Sequence, residues 1–390
     1  MKQKVWHKRV DFNIIVSLIF LAAFGLMMMY SSCLDVEELK KQAIFMGIGF
    51  GILLSCQFLN YAWLKYFAYV GYFVAVGLVL ALKIPGIGVT RHEVTRWIKI
   101  AGFELQVSEP IKLLLIIFFA YYISEHLFEI NTIKGVFKIW LMAGAVGALI
   151  LKISSNLSAC LILLMITFGM TFISSSQKKF HIYVFLAVLA LAIFVYCFFK
   201  FNPPTSAQLQ TIKDFSYQLA RIVAWTDPIK YKDINGYQTV QGLYAIGAGG
   251  LFGKGLGKGT QKYMIPEAHN DMIICVIAEE LGLLGVIVLM ILYVYLIFHI
   301  MMIATGTKDI FGRLICAGVM FHIAFQAIVN IGVATAFLPN TGVTLPFVSA
   351  GGSAILLLFA QLAIVLSVFR CNKKRVDEKM KKRIKNSKKS

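Results

Sequence analysis

Charge is what this sequence has least of. Asp, Glu, Lys and Arg make up 15% of its 390 residues, hydrophobic side chains make up 59%, and the mean hydropathy is +0.76. A soluble domain with so thin a charged surface would precipitate, so the solvent for most of this surface is a bilayer. Acidic groups are scarcer still, 19 against 38 Lys and Arg, for a formal net charge of +19. That excess does not mark a nucleic-acid binder, because no basic, aromatic-interleaved domain lies outside the apolar runs to hold a strand. The cations gather instead in the N-terminal MKQKVWHKR and in the tail from Arg370 to Ser390, flanking hydrophobic spans in the positive-inside pattern. Cysteines are few and scattered (Cys33, Cys56, Cys160, Cys197, Cys275, Cys316, Cys371), with no C-x-x-C and no His at metal spacing. They read as small apolar fillers, and neither a disulfide framework nor a metal site is expected. The first apolar run follows basic residues but has no clear cleavage site, so it reads as a retained helix.

What is abundant is apolar sequence in helix-length pieces. A hydrocarbon core needs roughly 20 apolar residues per helix, and ten segments approach that: 12–30, 42–59, 64–83, 109–125, 136–152, 157–174, 181–200, 272–303, 312–335 and 347–369. The expected fold is an all-α polytopic membrane protein of about ten transmembrane helices. Residues 1–11 form a cytoplasmic N-terminus, 12–370 the membrane domain and 371–390 a basic cytoplasmic tail. Both termini then lie inside, as do Lys178, Lys179, Lys308 and Arg313 in short loops. Two long connections fall outside, 84–108 and a large extracellular loop, about 201–271, between helices 7 and 8.

Polar residues that interrupt the apolar pattern are the candidates for function. The 84–108 connection carries Arg91, His92, Glu93, Arg96, Lys99 and Glu104 with Trp97 and Phe103 between them, which suits an amphipathic stretch at headgroup level. Ser108, Glu109 and Pro110 make a helix start, Ser as N-cap and the carboxylate against the dipole. Lys112 follows inside an apolar run, where a charge costs about 2.5–3.5 kcal/mol unless it finds a polar cavity or a partner such as Glu109 one turn away. The polar KISSNLSAC between helices 5 and 6 suits a cavity wall. In the large loop one surface-lying helix is expected within SYQLARIVAWTDPIKYKD. The glycine-rich GGLFGKGLGKGT fails the spacing of a nucleotide loop; with Lys254, Lys258 and Lys262 it could present N–H groups and ammonium charges to an anionic headgroup. Asp271 opens the eighth helix, and Glu279 and Glu280 lie two turns deeper, where an unpaired carboxylate would be expelled from lipid. His322, Gln326 and Asn330 share one face of the ninth helix as interhelical glue. The last connection, LPNTGVTLPFVSAGGSA, is non-helical backbone at a cavity edge.

Three of these stretches, RWIKIAGFELQVSEPIK, GYQTVQGLYAIGAGGLFGKGLGKGTQKYMIPEAHNDMIICVIAEELGLLG and NIGVATAFLPNTGVTLPFVSAGGS, in that order around ten spans, resemble the SEDS family of FtsW, RodA and SpoVE proteins. HNDM and QGLYAIGAGG incline the likeness toward FtsW and SpoVE more than RodA. The resemblance implies a peptidoglycan glycosyltransferase that polymerises lipid II, an undecaprenyl diphosphate-linked disaccharide peptide, into β-1,4 glycan strands at the outer face of the bacterial cytoplasmic membrane. It implies Asp271 as the catalytic base, with Lys112, Arg96, Trp97, Glu109, Lys258, Glu267, His269 and Ser349 binding substrate. It implies no certain cofactor and no resident metal, leaving a divalent cation on the diphosphate open. Implied partners are a class B penicillin-binding protein and divisome or elongasome proteins, with no nucleic acid. Val107 stands where the family prefers proline, SNLSA at 155–159 replaces a motif with an aspartate, and Ala350 replaces a bulkier residue. A lipid II flippase and a scaffold that recruits the synthase are the competing readings.

Overall fold

The computed structural model describes residues 11–33, 35–91, 94–100 and 103–387. The basic N-terminal run, His92, Glu93 and the last three residues of the tail lie outside the described residues. The apolar runs form α1 (Phe12–Ser32), α2 (Val36–Cys56), α3 (Ala68–Ala81, entered through a 3₁₀ turn at Tyr61–Phe67), α4 (Ser108–Glu125) and the single turn α5 (Leu127–Ile130). They continue as α6 (Ile133–Ser154), α7 (Leu157–Ser174), α8 (Lys178–Phe201), α12 (Ile273–Gly306), α13 (Ile310–Ala334) and α14 (Gly352–Ser387). Among the described residues nine helices are long and apolar enough to cross a membrane. The expected tenth is α4, 18 residues long, which falls short by composition because Glu109, Lys112 and Glu125 interrupt it. The chain is an all-α polytopic membrane protein with one small exception.

The exception is the 84–108 connection. In place of a surface-lying amphipathic stretch it folds into an antiparallel sheet of β1 (Gly88–Arg91), β2 (Val94–Ile100) and β3 (Phe103–Gln106), with Trp97 opposite Val89 on one side and Gln106 on the other. The β-branched and aromatic Val94, Thr95, Trp97 and Ile98 favour a strand, and pairing satisfies backbone groups that a lone extended segment would leave to the headgroups. The last strand leads straight into α4, with Val107 at the cap position and Ser108 already the first helical residue. Ser108 is therefore not the N-cap expected of it. Val107 N–H donates to Arg96 O instead, so the strand partner takes up a bond at this junction.

The long 202–272 connection holds three helices where one was expected: α9 (Ser206–Phe215), α10 (Tyr217–Thr226) and α11 (Tyr237–Gly249). Thr205 and Gln208 form a capping box on α9, and the Ser216 side chain caps α10, so Ser and Thr placed by the sequence divide the segment. Leu209, Ala220, Val223, Ala224 and Tyr231 make a separate small core there. The β1–β3 sheet and the connections α6–α7, α8–α12 and α13–α14 meet at one end of the bundle: Arg96 bonds Ser154 O, Gln106 N–H bonds Ser353 Oγ, Arg221 bonds Asn340 O and Ala350 N–H bonds His269 O.

Candidate active site

The segment that delivers Asp271 is built around a break in α12. Gly282 has φ 67° and ψ −167° inside that helix, a conformation a side chain resists. A break frees carbonyls on one side and amides on the other, and at membrane depth these must be paired by protein. The glycine-rich loop after α11 does so: Lys254 N–H and Gly255 N–H donate to Glu279 O and Glu280 O, while Leu283 N–H and Leu284 N–H donate to Gly250 O and Leu251 O. Gly253, with φ 75°, lies so close that a Cβ there would sit 2.2 Å from Glu280 O.

The same loop takes up both buried carboxylates. Glu279 accepts from Lys254 Nζ at 2.6 Å and from Thr260 N–H at 2.9 Å. Glu280 accepts from Lys262 Nζ at 2.8 Å, Ser31 Oγ at 2.7 Å and Gly257 N–H at 3.0 Å. Both glutamates have no exposed surface. Of the amides and lysines expected to face a headgroup, Lys254, Lys262 and the Gly257 and Thr260 N–H groups instead take up the chain's own carboxylates. Lys258, expected to bind substrate, is exposed and makes no ion pair among the described residues.

The loop then returns to the mouth of the bundle at Asp271, which is 9% exposed. Its Oδ1 accepts from Gln238 Nε2 at 3.1 Å, its backbone carbonyl accepts from Asn330 Nδ2 at 2.7 Å, and Gly342 leaves room beside Oδ2. Asn340 Nδ2 donates to Gln238 Oε1, and Asn340 O accepts from Arg221 Nη1, so α10, α11 and the α13–α14 connection are linked around one carboxylate. Burial pushes the Asp271 carboxyl up to about 6, against the pull of the nearby Arg221 guanidinium. A carboxyl in that range suits proton acceptance near neutral pH.

Arg96 and Arg221 share a cleft with Ser155, Tyr217, Asn340 and Thr341. Arg96 donates only to the carbonyls of Ser154 and Ser155, and Arg221 to Asn340 O and Tyr217 Oη. Neither makes an ion pair among the described residues, and burial together with the Arg221 charge lowers the Arg96 guanidinium from its ordinary value. Ser155, at φ 49°, turns its carbonyl toward Arg96, and Asn156, also in the SNLSA that replaces the family's acidic motif, caps α7 by accepting from Ala159 N–H. Two guanidiniums bonded to carbonyls and one phenol, with no carboxylate partner among the described residues, suit the cleft to an anion.

Lys112 and Glu109 are brought together beneath this mouth. Lys112 Nζ is 2.7 Å from Glu109 Oε1 and donates to Gln326 Oε1 at 3.2 Å; both charged side chains are buried. Gln326 Nε2 donates to Thr344 O, one turn before Asn330 reaches Asp271 O and Val343 O. His322 bonds Gln361, so the shared face of α13 is interhelical glue that also fixes the site. Ser349 is buried, its hydroxyl accepting from Leu345 N–H. Trp97 stays in the sheet beside Arg96. His269 and Glu267 turn toward the start of α2, where His269 Nε2 lies 3.2 Å from Glu38 and 3.7 Å from Glu267. Arg221, Gln238 and Asn340 were missed in the sequence; nothing in a loop arginine or an amide marks it as facing a carboxylate 33 to 69 residues away.

With the geometry in place, the chain can be compared with known proteins. The family model described as "Cell cycle protein", covering FtsW, RodA and SpoVE, matches residues 11–374. A probable peptidoglycan glycosyltransferase FtsW of Trichlorobacter lovleyi is 31% identical over 92% of each chain. Stage V sporulation protein E of Bacillus subtilis is 31% identical over 92% of this chain and 97% of its own length. Among solved structures, a chain from a peptidoglycan synthase complex that coordinates polymerization and crosslinking superposes with a TM-score of 0.77, at 26% identity over 94% of this chain and 99% of that one.

Proposed function

Because this chain belongs to the FtsW, RodA and SpoVE family, we propose that it is a peptidoglycan glycosyltransferase whose reaction is centred on Asp271. The observation that carries this reading is the buried Asp271 at the mouth of the bundle, its carboxylate held by Gln238 and its backbone carbonyl by Asn330, beside a cleft whose two guanidiniums have no carboxylate partner among the described residues. The substrate class is a lipid-linked disaccharide diphosphate, lipid II. The 4-hydroxyl of the acceptor sugar attacks the anomeric carbon of the donor. The bond from that carbon to the diphosphate oxygen breaks, the hydroxyl proton passes to Asp271, and the undecaprenyl diphosphate leaves with inversion to a β-1,4 link. Arg96 and Arg221 stabilise the charge that gathers on the leaving group, and Lys112, braced by Glu109 and Gln326, sets the floor beneath them. The lipid tails remain in the bilayer beside the helices.

The site faces outward, with both termini in the cytoplasm of a bacterial cell. A class B penicillin-binding protein crosslinks the product; the likeness to a chain of a synthase complex that couples polymerization and crosslinking supports such a partner. The likeness to FtsW and to a sporulation protein supports a role in division or sporulation. The test is glycan-strand formation from purified lipid II by the chain with its cognate penicillin-binding protein, transpeptidase-inactivated. Wild type should make polymer and a well-folded Asp271→Asn should make none. Equal polymer from both removes Asp271 as the base, and no polymer from either while lipid II still crosses vesicles favours a flippase.

A further inference from the structure

One group of side chains lies outside the machinery described above. Among the described residues, Cys33, Glu38 and His269 are the one set of three whose ligand atoms all lie within 4.8 Å of one another. Cys33 Sγ is 3.4 Å from Glu38 Oε2, and that same oxygen is 3.2 Å from His269 Nε2. Glu267 Oε2 lies 3.7 Å from His269 Nε2 on a further side. A tetrahedral ion with bonds of about 2.0–2.3 Å to N, O and S holds its ligand atoms roughly 3.3–3.7 Å apart. Of the six separations among four such ligands, three are 3.4, 3.2 and 3.7 Å, at or within 0.1 Å of that range, and Cys33 Sγ and His269 Nε2 lie within 4.8 Å of each other.

From this geometry we propose that Cys33, Glu38, His269 and Glu267 form a divalent-metal site at the mouth of the bundle. Two carboxylates converge on one imidazole nitrogen beside a thiol, so the cluster carries net negative charge even with the imidazole protonated, and a cation in its centre resolves that conflict. A thiolate, an imidazole and carboxylates select a borderline ion such as Zn(II) over the hard Mg(II). On binding, the Cys33 thiol gives its proton to solvent and the thiolate becomes a ligand. The bond would clamp the end of α1 and the first turn of α2, which supply Cys33 and Glu38, to the segment that ends at Asp271. In the sequence Cys33 and His269 are 236 residues apart, so no spacing could have shown this.

The test uses the full chain in detergent, stripped with chelator and titrated with Co(II). We expect one Co(II) per chain, with tetrahedral d–d bands and a thiolate-to-metal charge-transfer band in the near ultraviolet, all displaced by Zn(II). Cys33→Ser should abolish the charge-transfer band, Glu38→Gln should weaken Co(II) binding at least tenfold, and Cys371→Ser should change neither. In wild type, Zn(II) should slow alkylation of Cys33 at least tenfold, read by mass spectrometry of the peptide, which needs no variant to fold. The site is overturned if no charge-transfer band forms, if the band survives in Cys33→Ser, or if Zn(II) leaves the alkylation rate of Cys33 unchanged.

Discussion

Replacing Lys112 by Met separates what the buried cation does for the fold from what it does for the reaction. Lys112 is 3% exposed and Glu109 5%, the pair is 2.7 Å apart, and Glu109 Oε2 has no hydrogen-bond partner. Lys112→Met therefore leaves a desolvated carboxylate whose cation is gone, a loss of about 3–5 kcal/mol when a buried pair is broken from one side. Glu109 sits in the first turn of α4, where the helix dipole offsets about 0.3–1 kcal/mol, so the expected cost lies near 3 kcal/mol. Removing both charges with Lys112→Met and Glu109→Met exchanges the pair for apolar volume, which is often neutral. What then persists is the bond lost to Gln326 Oε1, worth about 1 kcal/mol. The double variant should thus lie within about 1–2 kcal/mol of wild type, recovering about 1–2 kcal/mol of the loss in Lys112→Met. Equilibrium unfolding in mixed micelles reads the stabilities and glycan formation from lipid II reads the chemistry. Polymerisation should remain down by about 10²-fold in the stable double variant, because Gln326 no longer fixes Thr344 and the loop beside Asp271 shifts. A double variant as unstable as the single would refute the pairing. One that is stable and fully active would show that the pair serves the fold alone.

The other substitutions probe the cleft and the loop. Arg221→Ala should lower kcat/KM for strand formation by about 10²–10³-fold, the range for losing one donor to developing charge, and Arg221→Lys should recover part of it because the charge returns without the planar fork; steady-state kinetics that leave Arg221→Ala unchanged would remove it from the site. Lys262→Met should cost about 3–5 kcal/mol, since Glu280 would stay buried with hydroxyl and amide donors but no cation, and adding Glu280→Gln should recover most of the loss in the same unfolding assay. If Lys262→Met unfolds like wild type, the loop does not depend on that ion pair.

How much could be read from the chain follows from which forces are local. The ten apolar runs were legible because a helix in lipid satisfies its own backbone, so length and hydropathy suffice. Glu279 and Glu280 were legible as interior for the same reason, and both are fully buried. The β-sheet at 88–106 was not, because charges between aromatic residues fit an interfacial stretch and a strand alike, and only pairing between β1, β2 and β3 decides. The glycine-rich loop is the sharper case. Its lysines and amides demand an anion, but composition cannot say whether that anion is a headgroup or a carboxylate of the same chain. The decision rests on Gly282: once α12 breaks there, two carbonyls and two amides need partners inside the membrane, and the loop that supplies them carries Lys254 and Lys262 to within 2.8 Å of Glu279 and Glu280. Those two cations are then consumed, Lys258 stays exposed, and Arg96 and Arg221, on elements 125 residues apart, come into one cleft only in the folded bundle.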